Sequence, residues 1–319
     1  MSGFFVLTIF FPISYYRLLL QSMKKILSIL LFVFLSASVS AQSYAFKVLV
    51  NKGKNEVKTT GGWQSVKVGV AITEKDEIKI GANSYVGLVH ASGKPLELKE
   101  AKTYKVADLV KQMPSGSSVV TKYTDFILSS NSQKGNNIGA TGAVDRGKEA
   151  ADLHVNLPVP SEQAVFFNSR QTITWDSEGL KGPFVVSFQS LFEDELKIIQ
   201  TAENSVTIDL DGREFDSEDN ILVEVISKAD GKRSARLALK RLSKPDRAHV
   251  EKLLKELSAQ TSEPIALNKY ILAAFFEENK LYIDAATQYA EAIRLAPDVD
   301  LYKDEFNNFL LRTGIKKKK

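Results

Sequence analysis

Short runs that alternate apolar and polar residues dominate the chain from Tyr44 to about Asp108. Glycine- and asparagine-containing turns separate these runs. Side chains of a strand point alternately to its two faces, so the pattern predicts several short strands in an antiparallel sandwich or barrel. The apolar positions that alternate within three of the runs are Val66, Val68, Val70 and Ile72, then Ile78 and Ile80, then Leu96 and Leu98.

The stretch from Gly53 to Leu98 resembles the FecR-type β domain. That family has a glycine-led strand, a tryptophan, a valine-glycine strand, an aspartate-x-isoleucine step and a glycine turn. The matching positions here are Gly53, Trp63, Val68 with Gly69, Asp76 with Ile78, and Ser92 with Gly93. The resemblance covers about a quarter of the chain and implies an extracytoplasmic interaction domain at residues 42–113. FecR proteins proper also carry cytoplasmic helices and a membrane span, which we do not expect here.

Residues 114–160 are predicted to hold a short helix and a glycine-rich linker. Two helices are indicated within residues 105–128, and residues 129–152 are polar, rich in glycine and without apolar periodicity. Gly139 and Gly142 form a GxxG pattern that is compatible with phosphate or RNA contact. A phosphate-binding loop needs Ser or Thr after Gly-Lys, whereas Glu149 follows here, so we favour a flexible connector.

Seven further strands are predicted within residues 161–243, in a domain whose pattern fits a β-sandwich. The "TITW" and "GPFVVSF" segments resemble fibronectin type III or immunoglobulin-like repeats, and Trp175 is expected to be a core residue. The alternating core positions are Ile173 and Trp175; Phe184, Val186 and Phe188; Val206, Ile208 and Leu210; and Ala235, Leu237 and Leu239.

Helical periodicity replaces the strands in residues 244–319. A helix over 246–259 and another over 299–312 flank a helical hairpin that resembles the tetratricopeptide (TPR) repeat. The signature positions, which the resemblance assigns to protein binding, are Leu272, Ala273, Phe276, Ala285, Tyr289, Ala292 and Pro297. One repeat cannot bury its own faces. The hairpin must therefore pack on the flanking helices, on the preceding sandwich or on another protein.

The N-terminal segment has the plan of an export signal. Residues 23–41 begin with Met-Lys-Lys, continue in an apolar run and end in small residues, which predicts a signal peptide cleaved after Ala41. Residues 1–22 are interpreted as sequence upstream of the true start. If residues 1–41 are retained instead, they would attach the protein to a membrane.

Charge and composition exclude several classes of protein. The formal net charge is +4, but three cations lie in the first 41 residues and four in the tail Lys316–Lys319, which leaves the body at −3. No nucleic-acid partner is therefore expected. The chain has no cysteine, so disulfides, thiolate metal sites and cysteine nucleophiles are excluded.

Catalytic and metal-binding motifs are not evident. His90, His154 and His249 are scattered, without the spacing of a metal site, and no GxSxG motif occurs. Within residues 207–218, acidic residues partly follow the spacing of a calcium loop, but Thr207 stands at the first ligand position. We therefore expect a solvated hairpin there, without calcium.

Together these patterns predict a multidomain α+β protein: two antiparallel β domains followed by a small all-α TPR-like domain. We expect a non-catalytic, exported scaffold or adaptor of the cell envelope that binds other envelope proteins and needs no cofactor. Two alternatives stay open. One is a FecR-like component that senses envelope signals. The other is a glycan-binding or glycan-hydrolysing envelope protein, whose carboxylates would meet only on folding.

Overall fold

The computed structural model describes residues 44–116, 119–132, 164–175 and 179–313. Several antiparallel sheets precede a C-terminal helical region, so the predicted α+β class is confirmed. No described helix is long and apolar enough to span a membrane. The predicted leader, most of the predicted linker and the lysine tail lie outside the described residues.

Strands β1–β8 form two four-stranded sheets, called here the N-terminal sheets, in the orders β4-β1-β6-β7 and β3-β2-β5-β8. A shared core that includes Val48, Ile78 and Leu88 lies between them. The strands are β1 Phe46–Lys52, β2 Glu56–Thr59, β3 Gly62–Ser65, β4 Ala71–Ile72, β5 Glu77–Lys79, β6 Tyr85–His90, β7 Pro95–Leu98 and β8 Thr103–Lys105.

The run from Ser65 to Ile72 is not the single strand that its alternation predicts. β3 ends at Ser65, and the chain turns at Gly69, whose φ is +86°, before β4 begins. Val66 and Ile72 are buried, but Val68 is exposed. The alternation fails here because Val66 follows the end of β3 and Ile72 lies in β4, on the other side of the turn.

Strands β9–β15, called here the second sheet pair, contain all seven predicted strands. A five-stranded sheet, β12-β11-β14-β15-β9, and a two-stranded sheet, β10-β13, enclose a core in which Trp175 is buried as expected. β9 pairs with β15 in parallel, and Ala235 is exposed because β15 starts only at Leu237. The strands are β9 Val165–Phe166, β10 Arg170–Thr174, β11 Phe184–Gln189, β12 Glu195–Thr201, β13 Ser205–Asp209, β14 Asn220–Ser227 and β15 Leu237–Arg241.

Both predicted helices of residues 105–128 are present, and the second continues four residues into the segment read as linker. The C-terminal helices also match the periodicity: Ser243 accepts a hydrogen bond from the Asp246 amide and caps the first of them. The helices are α1 Val106–Val110, α2 Val120–Ser132, α3 Lys244–Thr261, α4 Ala266–Glu278, α5 Tyr282–Leu295 and α6 Asp300–Arg312.

The largest core joins the C-terminal helices to both sheet systems. Leu49 and Val89 from β1 and β6, Tyr123 from α2 and Phe167 from the second sheet pair all pack with α4 and α5. β6 is buried on both faces, so its sequence, YVGLVH, lacks alternation. A Cβ at Gly87 would lie 3.2 Å from Leu267 Cδ1, so glycine at this position of β6 allows the close approach of α4.

Candidate interaction surface

The residues of the repeat signature meet in the helical hairpin of α4 and α5. Ala273, Phe276, Ala285, Tyr289 and Ala292 are buried there. Leu272 is half-buried on α4, and Pro297 is exposed just after α5. Lys280, in the turn between these helices, has a φ of +61°, a conformation that favours glycine.

The hairpin packs its aromatic side chains on other parts of the same chain. Tyr123 of α2 lies edge-on to Phe275, Phe167 of the second sheet pair packs near Phe276, and Tyr289 packs 5.2 Å from Phe309 of α6. The flanking helices and the sandwich were expected as supports, whereas α2 and the N-terminal sheets were not. The buried signature residues are therefore inaccessible to a second protein in this conformation.

A buried carboxylate joins the N-terminal sheets to the helices. Glu97 Oε1 accepts hydrogen bonds from the Tyr85 hydroxyl at 2.6 Å and from the Leu267 amide, in the first turn of α4, at 2.9 Å. The Tyr85 and Tyr302 hydroxyls lie 2.7 Å apart, and burial raises the pKa of both. Glu97 thus supplies the N-terminal acceptor that α4 lacks in its own sequence.

A second buried carboxylate, Asp284, joins α5 to the second sheet pair. It lies in the first turn of α5, is 0% exposed, and accepts hydrogen bonds from the Phe167 amide at 2.8 Å and the Asn168 amide at 2.9 Å. The side-chain amides of Asn168 and Gln171 donate to it at 2.7 and 2.9 Å. Burial raises the pKa of Asp284, whereas these four donors act in the opposite direction.

A third carboxylate, Glu277, joins α4 to α6. Glu277 of α4 receives two hydrogen bonds from the Arg312 guanidinium, at 2.6 and 2.8 Å, and one from the Tyr289 hydroxyl at 2.9 Å. Burial on its own would lower the pKa of Arg312, but the bonds to Glu277 raise it on balance. The three carboxylates hold one element against another through these contacts.

The two histidines of the described residues, His90 and His249, do not form a site. His90 lies at the end of β6, where Nδ1 accepts a hydrogen bond from the Ser92 amide and burial lowers its pKa. His249 is exposed on α3, and His154 is outside the described residues. Within the described part of the chain, no group of three or more His, Asp or Glu residues is placed to hold a metal ion.

The acidic segment after β13 is not the hairpin that its sequence predicted. β13 pairs with β10, whereas β14 pairs with β11 and β15, so the segment crosses from one sheet to the other. Phe215 is buried in the core between the sheets, and Arg241 donates hydrogen bonds to Asp211 and to the Glu218 carbonyl, both at 2.9 Å. The buried phenylalanine and the arginine, not strand pairing, hold this connection.

A cleft of about 450 Å³ opens beside β7, α1 and the start of α4. Its charged groups are largely paired with one another: Lys94 lies 2.6 Å from Glu263, and Lys99 lies 2.7 Å from Glu97. These pairs leave the cleft without an evident general acid or base. Its lining also includes Leu96, Glu100, Tyr104, Met113 and Ile265.

The turn between β11 and β12 exposes the most accessible large apolar side chain of the described residues. Phe192 is 89% exposed and Leu191 is 53% exposed. We call residues 190–195 the hairpin tip. Such exposure is unusual, because a phenylalanine loses about 2 kcal/mol of burial energy when it stays in water.

Hydrogen bonds fix the conformation of the hairpin tip. Ser190 Oγ accepts from the Phe192 and Asp194 amides, both at 3.1 Å, and the Glu193 amide donates to the Ser190 carbonyl at 3.0 Å. Glu193 follows with a φ of +67°, in the left-handed region. A non-glycine residue there costs about 1 kcal/mol. The turn therefore holds Phe192 outward in a defined, strained conformation.

Trp63 is a second exposed aromatic residue, at 42%, but it differs in its surroundings. The ammonium groups of Lys58 and Lys79 lie 5.8 and 5.9 Å from its ring centre. These cations also approach Glu77 and Glu56 on the same sheet face. The Trp63 ring is thus engaged by neighbours within its own sheet, and the hairpin tip is the stronger candidate surface.

Sequence reasoning did not single out the hairpin tip, although "LFED" places two large apolar residues in a turn. Turns normally carry polar and small residues, so this composition was the available signal. Comparisons of the chain with family models, curated proteins and solved structures find no match.

Proposed function

We propose that the chain is a non-catalytic adaptor of the cell envelope that binds another protein through the hairpin tip. In this proposal, two β modules, one FecR-like and one immunoglobulin-like, form a rigid body together with the TPR-like helices. The helices brace the β modules instead of offering a binding groove. No cofactor takes part.

The observation that carries the proposal is the exposure of Phe192 on a turn held by hydrogen bonds. A turn whose backbone is already ordered loses little conformational entropy on binding, and aromatic residues are enriched among the side chains that dominate binding energy. The buried packing of α4 and α5 adds support, because the surface through which TPR repeats usually bind is covered by the rest of the chain. Both oxygens of Asp284 and of Glu277 accept hydrogen bonds from neighbouring elements, which argues against an active site at these two carboxylates.

Export is the second part of the proposal and rests on the sequence of residues 23–41. N-terminal sequencing of the protein recovered from the cell envelope should find Gln42 as its first residue. If the mature protein is found in the cytosol with residues 1–41 retained, the proposed export to the cell envelope is wrong.

Photocrosslinking in the cells that produce the protein tests the binding surface directly. A photoreactive phenylalanine derivative at position 192 should form adducts with another protein. The matched control is the same derivative at Ala229, an exposed residue in the turn after β14, at the opposite end of the five-stranded sheet. Equal protein adducts at both positions, or none at position 192, would reject the hairpin tip as a binding surface.

A further inference from the structure

The hairpin tip combines its apolar pair with three consecutive acidic residues, Glu193, Asp194 and Glu195. Arg236 pairs with Glu193 at 2.6 Å, and Asp194 accepts a hydrogen bond from Ser190. Hence one of the three carboxylates is matched by a cation, and the tip carries a local charge of about −2 beside its exposed phenylalanine.

The nearest cation on β12 does not offset this charge. Lys197 forms an ion pair with Glu214, in the connection between the two sheets. Lys197 lies opposite Phe188 in the β11–β12 pairing, and Phe188 points into the core. The ammonium group of Lys197 therefore points toward Glu214 and does not neutralise the acidic residues of the hairpin tip.

We propose, on the basis of the proposed function, that the hairpin tip inserts Leu191 and Phe192 into an apolar pocket of a partner protein whose rim carries lysine or arginine. The pocket accounts for the exposed aromatic residue. The basic rim accounts for the acidic residues around it, because burying a carboxylate without a cation or donor is costly.

The charge also decides between this partner and a lipid surface. A tip that inserted into a membrane would bring Asp194 and Glu195 against lipid headgroups, many of them anionic. Anionic membranes attract lysine and arginine and repel carboxylates. An exposed phenylalanine surrounded by acidic residues therefore fits a basic protein pocket better than a bilayer.

Strand addition by a second copy is disfavoured by the edge of the sheet. β12 is an edge strand, but its register with β11 shifts between Phe188 and Gln189, which marks a bulge or irregularity. Irregular register and an inward-pointing lysine are features that protect sheet edges from pairing. The contact is thus expected at the tip, through side chains, and not along the strand.

The test combines the position-192 crosslink with a charge reversal in the full chain. Glu195→Lys removes the net negative charge of the tip, and Glu203→Lys makes the same change at an exposed residue beyond the other end of β12. Surface substitutions of this kind change stability by about 0.5 kcal/mol or less. Glu195→Lys should lower the adduct yield in an envelope extract about five- to tenfold, whereas Glu203→Lys should leave it unchanged.

Two further readouts complete the test. Peptide mapping of the adduct should place the reacted site among apolar residues with lysine or arginine nearby, and raising the salt from about 0.05 M to about 0.5 M should reduce the yield. Equal yields for the two charge variants would overturn the basic rim while leaving the proposed function intact. Adducts with lipid, flotation of the purified protein with anionic vesicles, or adducts with the Trp63 face of a second copy would also overturn it.

Discussion

Replacing Asp284 by alanine is the sharpest perturbation of the contact between α5 and the second sheet pair. The carboxylate is 0% exposed and accepts four hydrogen bonds, three from Phe167 and Asn168 in the loop between β9 and β10 and one from Gln171 of β10. Two of the donors, the Phe167 amide and the Gln171 side-chain amide, belong to residues that are themselves buried. Alanine would leave these donors without this acceptor.

The expected loss follows from those two donors. Each buried donor that loses its acceptor costs about 1–3 kcal/mol, and relief from burying a charge returns part of this. The free energy of unfolding should therefore fall by about 3 kcal/mol, which corresponds to a decrease in Tm of about 6 °C for a unit of this size. Asp284→Asn keeps the volume and should lose less than Asp284→Ala, because its carbonyl oxygen can still accept from Asn168 and Gln171 while its NH2 group opposes only the Phe167 amide.

Urea denaturation followed by circular dichroism gives the free energy of unfolding of each variant. Asp304→Ala, at an exposed residue of α6, is the matched control and should stay within about 0.5 kcal/mol of the parent chain. Hydrogen exchange at the Phe167 and Asn168 amides should accelerate in Asp284→Ala alone. If Asp284→Ala loses less than about 1 kcal/mol, the four hydrogen bonds do not hold the two elements together as argued.

Three other predictions address separate parts of the molecule. Tyr302→Phe removes one hydroxyl from the contact with Tyr85 and should lower the free energy of unfolding by about 1 kcal/mol in urea denaturation; no change would mean that this hydrogen bond contributes nothing. Glu193→Gly should raise it by about 0.5–1 kcal/mol by relieving the left-handed backbone, despite the loss of the exposed ion pair with Arg236, and a decrease would contradict the assigned strain. Calorimetric titration with calcium should give no binding heat, because the acidic segment after β13 crosses between sheets; heat that Asp209→Asn removes would refute this.

The sequence predicted the elements whose signals are local. The C-terminal helices and the seven strands of the second sheet pair follow from periodicity over a few residues, and Trp175 is in the core as expected. The alternation at Ser65–Ile72 was misleading because a turn at Gly69 interrupts it, so Val66 and Ile72 are buried on either side of the turn while Val68 is exposed. The hairpin predicted after β13 was wrong because strand pairing depends on the topology of both sheets, which neighbouring residues do not encode.

The long-range contacts were not predictable from one sequence. Asp284 bonds to residues more than 110 positions earlier, and Glu97 bonds to the amide of Leu267, 170 positions later. Neither carboxylate belongs to a recognisable motif, so nothing local distinguishes it from a solvated residue. The burial of β6 on both faces was visible as missing alternation, but its partner helix was not.

Native-state hydrogen exchange tests most directly whether the C-terminal helices and the sheets form one structural body. The slowest amides of α4 and α5 should open with the same free energy as those of β6 and β14, and Asp284→Ala should lower all of them together. If α4 and α5 exchange at a markedly lower free energy while β6 and β14 stay protected, the helices are a separate module. Their faces would then be free to bind a partner, and the bracing role assigned to them would be wrong.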